Sequence, residues 1–184
     1  PLVTASPPHL ARLDVEKEEA MLRFVLEEAP MLKGVEFRAI HNASVVELRK
    51  TLNLFKPHIV HFTCHGSFES RDGMGHIFLA SSEQGHRGFD AVNSFRLASL
   101  LHEPGSVRFV FLNTCHGAAQ DPISTFSGIA ECLHANGIPA VAALQFMLFE
   151  RTAHAITLNL YRHLLRDRLS IEESVTRIRQ YLFL

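Results

Sequence analysis

The stretches HIVHFTCHG (58–66) and VRFVFLNTCHG (107–117) decide the fold of this chain. Each is an apolar run rich in β-branched and aromatic residues, and each ends in the tripeptide Cys-His-Gly. Such side chains pack well on a pleated surface, so the two runs predict two buried strands. The two tripeptides could share one role, as in a metal site, or one could supply a nucleophile and the other a base.

Extended and helical patterns alternate along the rest of the chain. Extended patterns lie at 1–7, 35–40, 58–64, 107–115 and 139–146, and helical patterns lie at 14–29, 44–55, 93–101, 124–135, 151–166 and 171–182. This alternation is typical of a parallel sheet with crossover helices. We therefore predict the α/β class, as a three-layer α/β/α sandwich with a mostly parallel sheet. The apolar runs at 107–112 and 138–144 predict strands that are buried on both faces.

Local signals set the ends of several elements. Ser44 and Glu47 form a capping box, which predicts that a helix begins there. Asn136-Gly137 predicts the end of the helix at 124–135. The segment IFLASS (77–82) has glycines on both sides, and we expect a hairpin excursion there rather than a core strand.

Composition limits the class of protein. The chain has 184 residues, a net charge of −1 and 47% hydrophobic residues, which fits one domain over 1–184. Because it starts abruptly with a strand pattern, we expect a domain cut from a longer polypeptide. The near-zero charge argues against a nucleic-acid or anionic-membrane partner. The longest apolar stretch, 138–149, is too short to span a bilayer.

Cysteine usage indicates the compartment. Cys64, Cys115 and Cys132 are too few, and odd in number, for a disulfide scaffold. Disulfides are rare where thiols are kept reduced, so we expect a cytoplasmic protein. The N-terminus also lacks the basic and apolar regions of a signal peptide.

Four reactive groups follow the two central strands. Ligands of open parallel sheets bind outside the carboxyl ends of the strands. If the strands at 58–64 and 107–115 are neighbours, Cys64, His65, Cys115 and His116 come together at that edge. One interpretation is a cysteine nucleophile with a histidine partner. Another is a Cys₂His₂ zinc site, although adjacent residues of an extended strand point to opposite sides and rarely bind one ion together. A third is that the cysteines are core residues and the histidines loop residues.

The two strand ends resemble a known family. HFxxHG at the end of one buried strand and LNxC at the end of the next are similar to the CHAT domain, a family of caspase-like cysteine peptidases with separase, gingipain and the metacaspases as relatives. FSGIAECLHANGIPAVAALQF (126–146) resembles the stretch that follows the family's cysteine, and LSIEESVTRIR (169–179) resembles part of its closing helices. The resemblance covers nearly the whole chain.

The resemblance implies a role for individual residues. His65 corresponds to the catalytic histidine and Cys115 to the nucleophile, and the N–H groups of Gly66 and Cys115 would form the oxyanion hole. The chain departs from the family pattern at two places: Cys64 stands where glycine usually precedes the histidine, and His116-Gly117 follows the nucleophile. Neither change removes a reacting group.

Acidic residues near the nucleophile indicate a substrate preference. QFMLFE (145–150) is similar to a family segment that ends in an acid, and Glu150 takes that position. In arginine-specific relatives an acid in this region lines the pocket for the residue before the scissile bond, so the resemblance implies that Glu150 selects Arg or Lys. A helix N-terminal acid facing the dipole is the alternative reading. Asp121 is a second substrate-binding candidate.

The function implied is cleavage of a protein or peptide substrate by a Cys115–His65 dyad, with no cofactor and no metal. The resemblance also implies a regulatory domain or partner protein that switches the peptidase on. The alternative from another class is a latent or non-catalytic scaffold that only binds other proteins.

Overall fold

The computed structural model describes residues 1–6, 10, 12–28, 34–69, 71–81, 88–113, 122–144 and 150–182. For residues 122–127 and 150 only the backbone is described. In the described part of the chain the strands are β1 (Leu2–Ala5), β2 (Ala39–Ile40), β3 (Ile59–Cys64), β4 (Gly66–Glu69), β5 (Met74–Ala80), β6 (Phe89–Asn93), β7 (Phe109–Asn113) and β8 (Ala140–Ala143). The helices are α1 (Val15–Glu28), α2 (Val45–Phe55), α3 (Ser94–His102), α4 (Pro122–Ala135), α5 (Glu150–Tyr161) and α6 (Ile171–Leu182), with a π-helical turn at Arg162–Arg166 after α5.

The chain divides into two compact units. The sheet unit comprises Pro1–Leu13 and Arg38–Met147, and the helical unit comprises Asp14–Phe37 and Leu148–Leu184. None of the helices in the described ranges combines the length and the apolar character that a membrane span requires.

The sheet unit contains a five-stranded parallel sheet in the order β2-β1-β3-β7-β8. Strands β3 and β7 are neighbours, as right-handed crossovers favour, with Ile59 opposite Phe109 and Thr63 opposite Asn113. The predicted α/β class with a mostly parallel sheet is confirmed.

Three helices share one core with this sheet. Leu48 and Leu52 of α2, and Leu97 and Leu101 of α3, are fully buried in a cluster with strand residues such as Phe62. Ile129 and Leu133 of α4 belong to the same cluster. Burying a leucine side chain stabilises the fold by roughly 1.5–3 kcal/mol, so these contacts dominate the packing of the unit.

Capping chemistry fixes the ends of α2 and α3 as the sequence predicts. The Ser44 hydroxyl accepts from the Glu47 N–H at 3.3 Å, and the Glu47 carboxylate accepts from the Ser44 N–H at 3.0 Å. These bonds satisfy two orphan donors of the first turn and hold the pKa of Glu47 below its usual value. Asn93 caps α3 by accepting from the Arg96 N–H at 2.9 Å.

A three-stranded antiparallel sheet, in the order β4-β5-β6, follows β3 directly. Strand β5 covers 77–80 of the segment 77–82 predicted as an excursion or hairpin, and that prediction is confirmed in pairing, because β5 belongs to the antiparallel sheet and not to the parallel one. It is wrong in burial. Ile77 and Leu79 of β5 are fully buried in the same core cluster as β3 and β7, since the chain returns across the core to α3.

Two boundaries and the burial of one strand differ from the predicted patterns. β2 covers only Ala39–Ile40 instead of 35–40, because the pairing with β1 begins with Leu2 opposite Ala39. β8 is only half-buried rather than buried on both faces, because it is the outer strand and pairs with β7 alone. The helix predicted at 151–166 leaves the α-helical pattern after Tyr161. In the wider turn that follows, the Asp167 N–H donates to the Arg162 carbonyl at 3.0 Å.

The helical unit encloses a buried carboxylate that the sequence patterns do not reveal. Glu18 of α1 is 1% exposed. The Thr157 hydroxyl of α5 donates to it at 2.6 Å, and the Nε2 atom of His154 lies 3.5 Å from its second oxygen. Burial and this carboxylate raise the pKa of Tyr161. The cluster ties α1 to α5 through charge-assisted contacts.

Candidate active site

The first predicted site residue, His65, follows the last residue of β3 and precedes the first residue of β4. Its side chain is 1% exposed. The Phe78 N–H donates to the His65 carbonyl at 2.8 Å, so β5 holds the backbone of this residue in place. His65 is therefore a buried imidazole at the carboxyl edge of the parallel sheet, where ligands of such sheets bind.

The backbone N–H of Gly66, the second predicted site group, points away from β5. Gly66 lies opposite Ile77 in the β4–β5 ladder. One position earlier, His65 lies opposite Phe78, and the hydrogen bond between them makes this a hydrogen-bonded pair. Because bonded and non-bonded pairs alternate in an antiparallel ladder, the N–H of Gly66 points away from β5. A donor that the ladder does not use is directed off this edge of β4, beside His65.

Cys64 lies on the other side of β3. Its thiol is fully buried in the apolar cluster that contains Val60 and Phe62. Burial raises the pKa of this thiol to about 12, because an apolar environment disfavours the thiolate. Cys64 is thus a core residue with little nucleophilic character. The described residues contain no group of three or more His, Cys, Asp or Glu side chains arranged to bind a metal ion.

A row of buried polar residues crosses the opposite face of the sheet. Thr4, Thr63 and Asn113 are at most 3% exposed and lie side by side on β1, β3 and β7. Two residues before Thr63 on β3, the Nε2 atom of His61 lies 3.2 Å from the Thr63 hydroxyl. The His61 ring meets the Phe111 ring edge-on, with 4.9 Å between centroids. The row ends two residues before His65 on β3.

The sequence patterns alone did not lead to a prediction of this row. The alternation of polar and apolar residues in HIVHFTC was a usable signal, because it separates His61 and Thr63 from the apolar cluster. Its extension across three strands depends on the sheet register, which one sequence does not specify.

The structure describes only some of the remaining predicted residues. Cys115, His116 and Asp121 lie outside the described residues. Glu150 is the first residue of α5, in the helical unit, and its side chain is also outside the described set. Cys132 is half-buried on α4 and packs against the apolar cluster that contains Ile129 and Leu133.

Comparison with known families agrees with the resemblance in the two strand ends. The family model of the CHAT domain matches residues 2–183, nearly the whole chain. That family is related to the caspase-like cysteine peptidases. A search of curated proteins finds no significant match to this chain.

Proposed function

Because this chain belongs to the CHAT domain family, we propose that it is a cysteine endopeptidase with Cys115 as nucleophile and His65 as proton carrier. The observation that supports this most strongly is the register of the two central strands. Thr63, two residues before His65, lies directly opposite Asn113, two residues before Cys115. His65 and Cys115 are therefore each two residues in sequence beyond a directly paired position of the two neighbouring strands.

The proposed reaction is acyl transfer to sulfur followed by hydrolysis. The Cys115 thiolate forms a bond to the carbonyl carbon of the scissile peptide, and the carbonyl electron pair moves to oxygen. As the C–N bond breaks, protonated His65 gives its proton to the departing amine. Neutral His65 then takes a proton from water, whose oxygen attacks the thioester and releases the acid. The thiolate and protonated His65 are restored for the next cycle.

The oxyanion of each tetrahedral intermediate requires donors that are in place before the reaction. We assign this role to the N–H groups of Gly66 and Cys115. The outward direction of the Gly66 N–H supports the assignment, since a donor already used by the β4–β5 ladder would have to break that bond first. Loss of one oxyanion donor typically lowers kcat by roughly 10²–10³-fold.

Substrate selection is assigned to Glu150, with Asp121 as the second candidate, on the resemblance of QFMLFE to the family's acid-ending segment. A carboxylate in the pocket pairs with the guanidinium or ammonium group of the residue before the scissile bond. We propose a preference for Arg or Lys at that position, and a cytoplasmic enzyme whose activity is controlled by a partner protein or flanking domain.

The nucleophile is tested by replacing Cys115 with Ala. Removal of the sulfur abolishes the covalent step, so cleavage of a peptide pool that the wild type cuts should fall by at least 10⁴-fold, on the order found for other nucleophile deletions. Cys132→Ala is the matched control, because it removes a half-buried thiol from α4, and it should retain activity. Cleavage by the Cys115→Ala protein at the wild-type rate would overturn the assignment. A wild type that cuts nothing but still binds other proteins would favour the scaffold function.

The specificity role of Glu150 is tested by the cleavage profile of Glu150→Gln. Loss of the negative charge should lower kcat/KM for substrates with Arg before the cut by roughly 10–100-fold, as a charge-assisted bond is worth about 1.5–3 kcal/mol. Glu131→Gln, an exposed acid on α4, serves as the control. An unchanged profile for Glu150→Gln would exclude Glu150 from the pocket and turn attention to Asp121.

A further inference from the structure

Strand β4 begins beside the candidate site and forms one end of the antiparallel sheet. It starts at Gly66, immediately after His65. In the order β4-β5-β6 it pairs with β5 on one side only, among the strands that the structure describes. An end strand carries a row of backbone donors and acceptors that its own sheet does not use.

The backbone groups that point off this edge belong to Gly66 and Phe68. Phe68 lies opposite Gly75, two steps along the ladder from the Gly66–Ile77 pair. The pair of Phe68 and Gly75 is therefore also a non-hydrogen-bonded pair of the ladder, and the N–H and C=O of Phe68 also point away from β5. The outward N–H and C=O groups of Gly66 and those of Phe68 are about 6.8 Å apart along the strand. An extended peptide repeats the backbone groups on one of its edges at the same distance.

Exposure increases along β4. Gly66 is buried, Ser67 is half-buried, and Phe68 and Glu69 are exposed. Phe68 keeps 37% of its surface in contact with solvent, although it is a large apolar residue. The strand therefore runs from the buried edge that holds His65 to an accessible surface with an aromatic side chain.

We propose that β4 is the docking edge for the extended stretch of substrate next to the scissile bond. This inference rests on the proposed peptidase function and adds how the substrate is held. The peptide adds a strand to β4, exchanging hydrogen bonds with the outward groups of Phe68 while Gly66 serves the reacting carbonyl. Main-chain bonds of this kind give affinity with little dependence on sequence, and the Phe68 ring contacts one substrate side chain.

The edge of β4 is continuous with the candidate site, which favours the substrate peptide as the molecule that binds there. The outward groups of Gly66 and Phe68 lie on one edge, and Gly66 adjoins His65. A chain whose carbonyl is bound at Gly66 must leave the site along some surface, and β4 offers backbone partners from the first step. A second copy of this protein pairing through the same edge is the competing occupant, which the test below distinguishes.

Proline at position 68 gives a sharp test. It removes the outward N–H, whereas the β4–β5 ladder does not use that donor, and edge strands accept proline where the N–H faces outward. Phe68→Ala is the matched control, because both variants lose the ring and only Phe68→Pro loses the donor. Thermal unfolding of both variants checks that the sheet is intact.

The measurement compares two substrates chosen from the wild-type cleavage profile. One is a hexapeptide, and the other is a reporter amide that carries only the residue before the cut. For the hexapeptide, kcat/KM of Phe68→Pro should be three- to tenfold below that of Phe68→Ala, the loss expected for one hydrogen bond. For the reporter amide the two variants should be equal, because that substrate does not reach Phe68.

A second measurement does not require the proline variant to fold. Amide hydrogen exchange of the Cys115→Ala protein is followed with and without the uncut hexapeptide, and binding should slow exchange of the Phe68 N–H at least tenfold. Equal kcat/KM for the two variants on the hexapeptide, or no protection at Phe68, would overturn the docking proposal while leaving the peptidase function standing. Protection that depends on protein concentration alone would assign the edge to a second copy. A wild type without any cleavage would overturn the function itself.

Discussion

The two faces of the parallel sheet are equally buried but differ in chemistry. One face presents only apolar groups from the two central strands, namely Val60, Phe62, Cys64, Val110 and Leu112. The other face presents a mixture of aromatic and polar groups, namely Thr4, His61, Thr63, Phe111 and Asn113. Apart from Thr4 of β1, both sets come from β3 and β7, since neighbouring residues of a strand point to opposite sides.

The two faces therefore have different requirements for stability. The apolar face requires only close packing against α2, α3 and α4. The polar face requires hydrogen-bond partners, because a buried polar group without one costs free energy. On that face, Thr63 and Asn113 lie opposite each other, two residues before His65 and Cys115 in the sequence.

The apolar face should be the most sensitive to truncation. Phe62→Ala removes a fully buried ring from the centre of the core and should lower the free energy of unfolding by about 3–5 kcal/mol. Urea unfolding followed by circular dichroism measures this change. Phe95→Ala removes a ring that is 58% exposed on α3, and it should stay within about 0.5 kcal/mol of the wild type. Equal losses for the two variants would contradict the assignment of the core.

A reciprocal pair of isosteric changes compares the two faces directly. Val60→Thr places a hydroxyl in the apolar cluster and should cost about 1–3 kcal/mol of unfolding free energy. Thr63→Val removes the hydroxyl that lies 3.2 Å from His61 Nε2, and should cost about 1 kcal/mol. Urea unfolding of both variants measures the costs. If Thr63→Val were more stable than the wild type, the hydroxyl would have no structural role on the polar face.

The fold was predictable where one segment carries its own signal. The capping box at Ser44 and Glu47, the cap at Asn93 and the apolar run of β7 each depend on residues close in sequence, and the structure has all three. The α/β class followed from the alternation of these segments. The position of His65 directly after a buried strand was also predictable, because the apolar run that precedes it is a local signal.

The unpredicted features depend on pairing between distant segments. The short β2 follows from where β1 begins, and the partial burial of β8 follows from its place at the end of the sheet order. Strand β4 was missed because GSFE has no apolar alternation, and only its partner β5 defines it. The buried Glu18 was missed because acids on an amphipathic helix are usually solvated, and its partner Thr157 lies 139 residues away.

The central claim is that the two Cys-His-Gly copies have different roles, with a reactive thiol in the second and an inert one in the first. Alkylation of the folded protein by iodoacetamide, quantified at each cysteine by mass spectrometry between pH 5 and 9, tests it most directly. Cys64, whose thiol pKa is raised to about 12 by burial, should stay unmodified over this range. Cys115 should be modified at the lowest pH, well before Cys132. Modification of Cys64 at a rate equal to that of Cys115 would contradict the account.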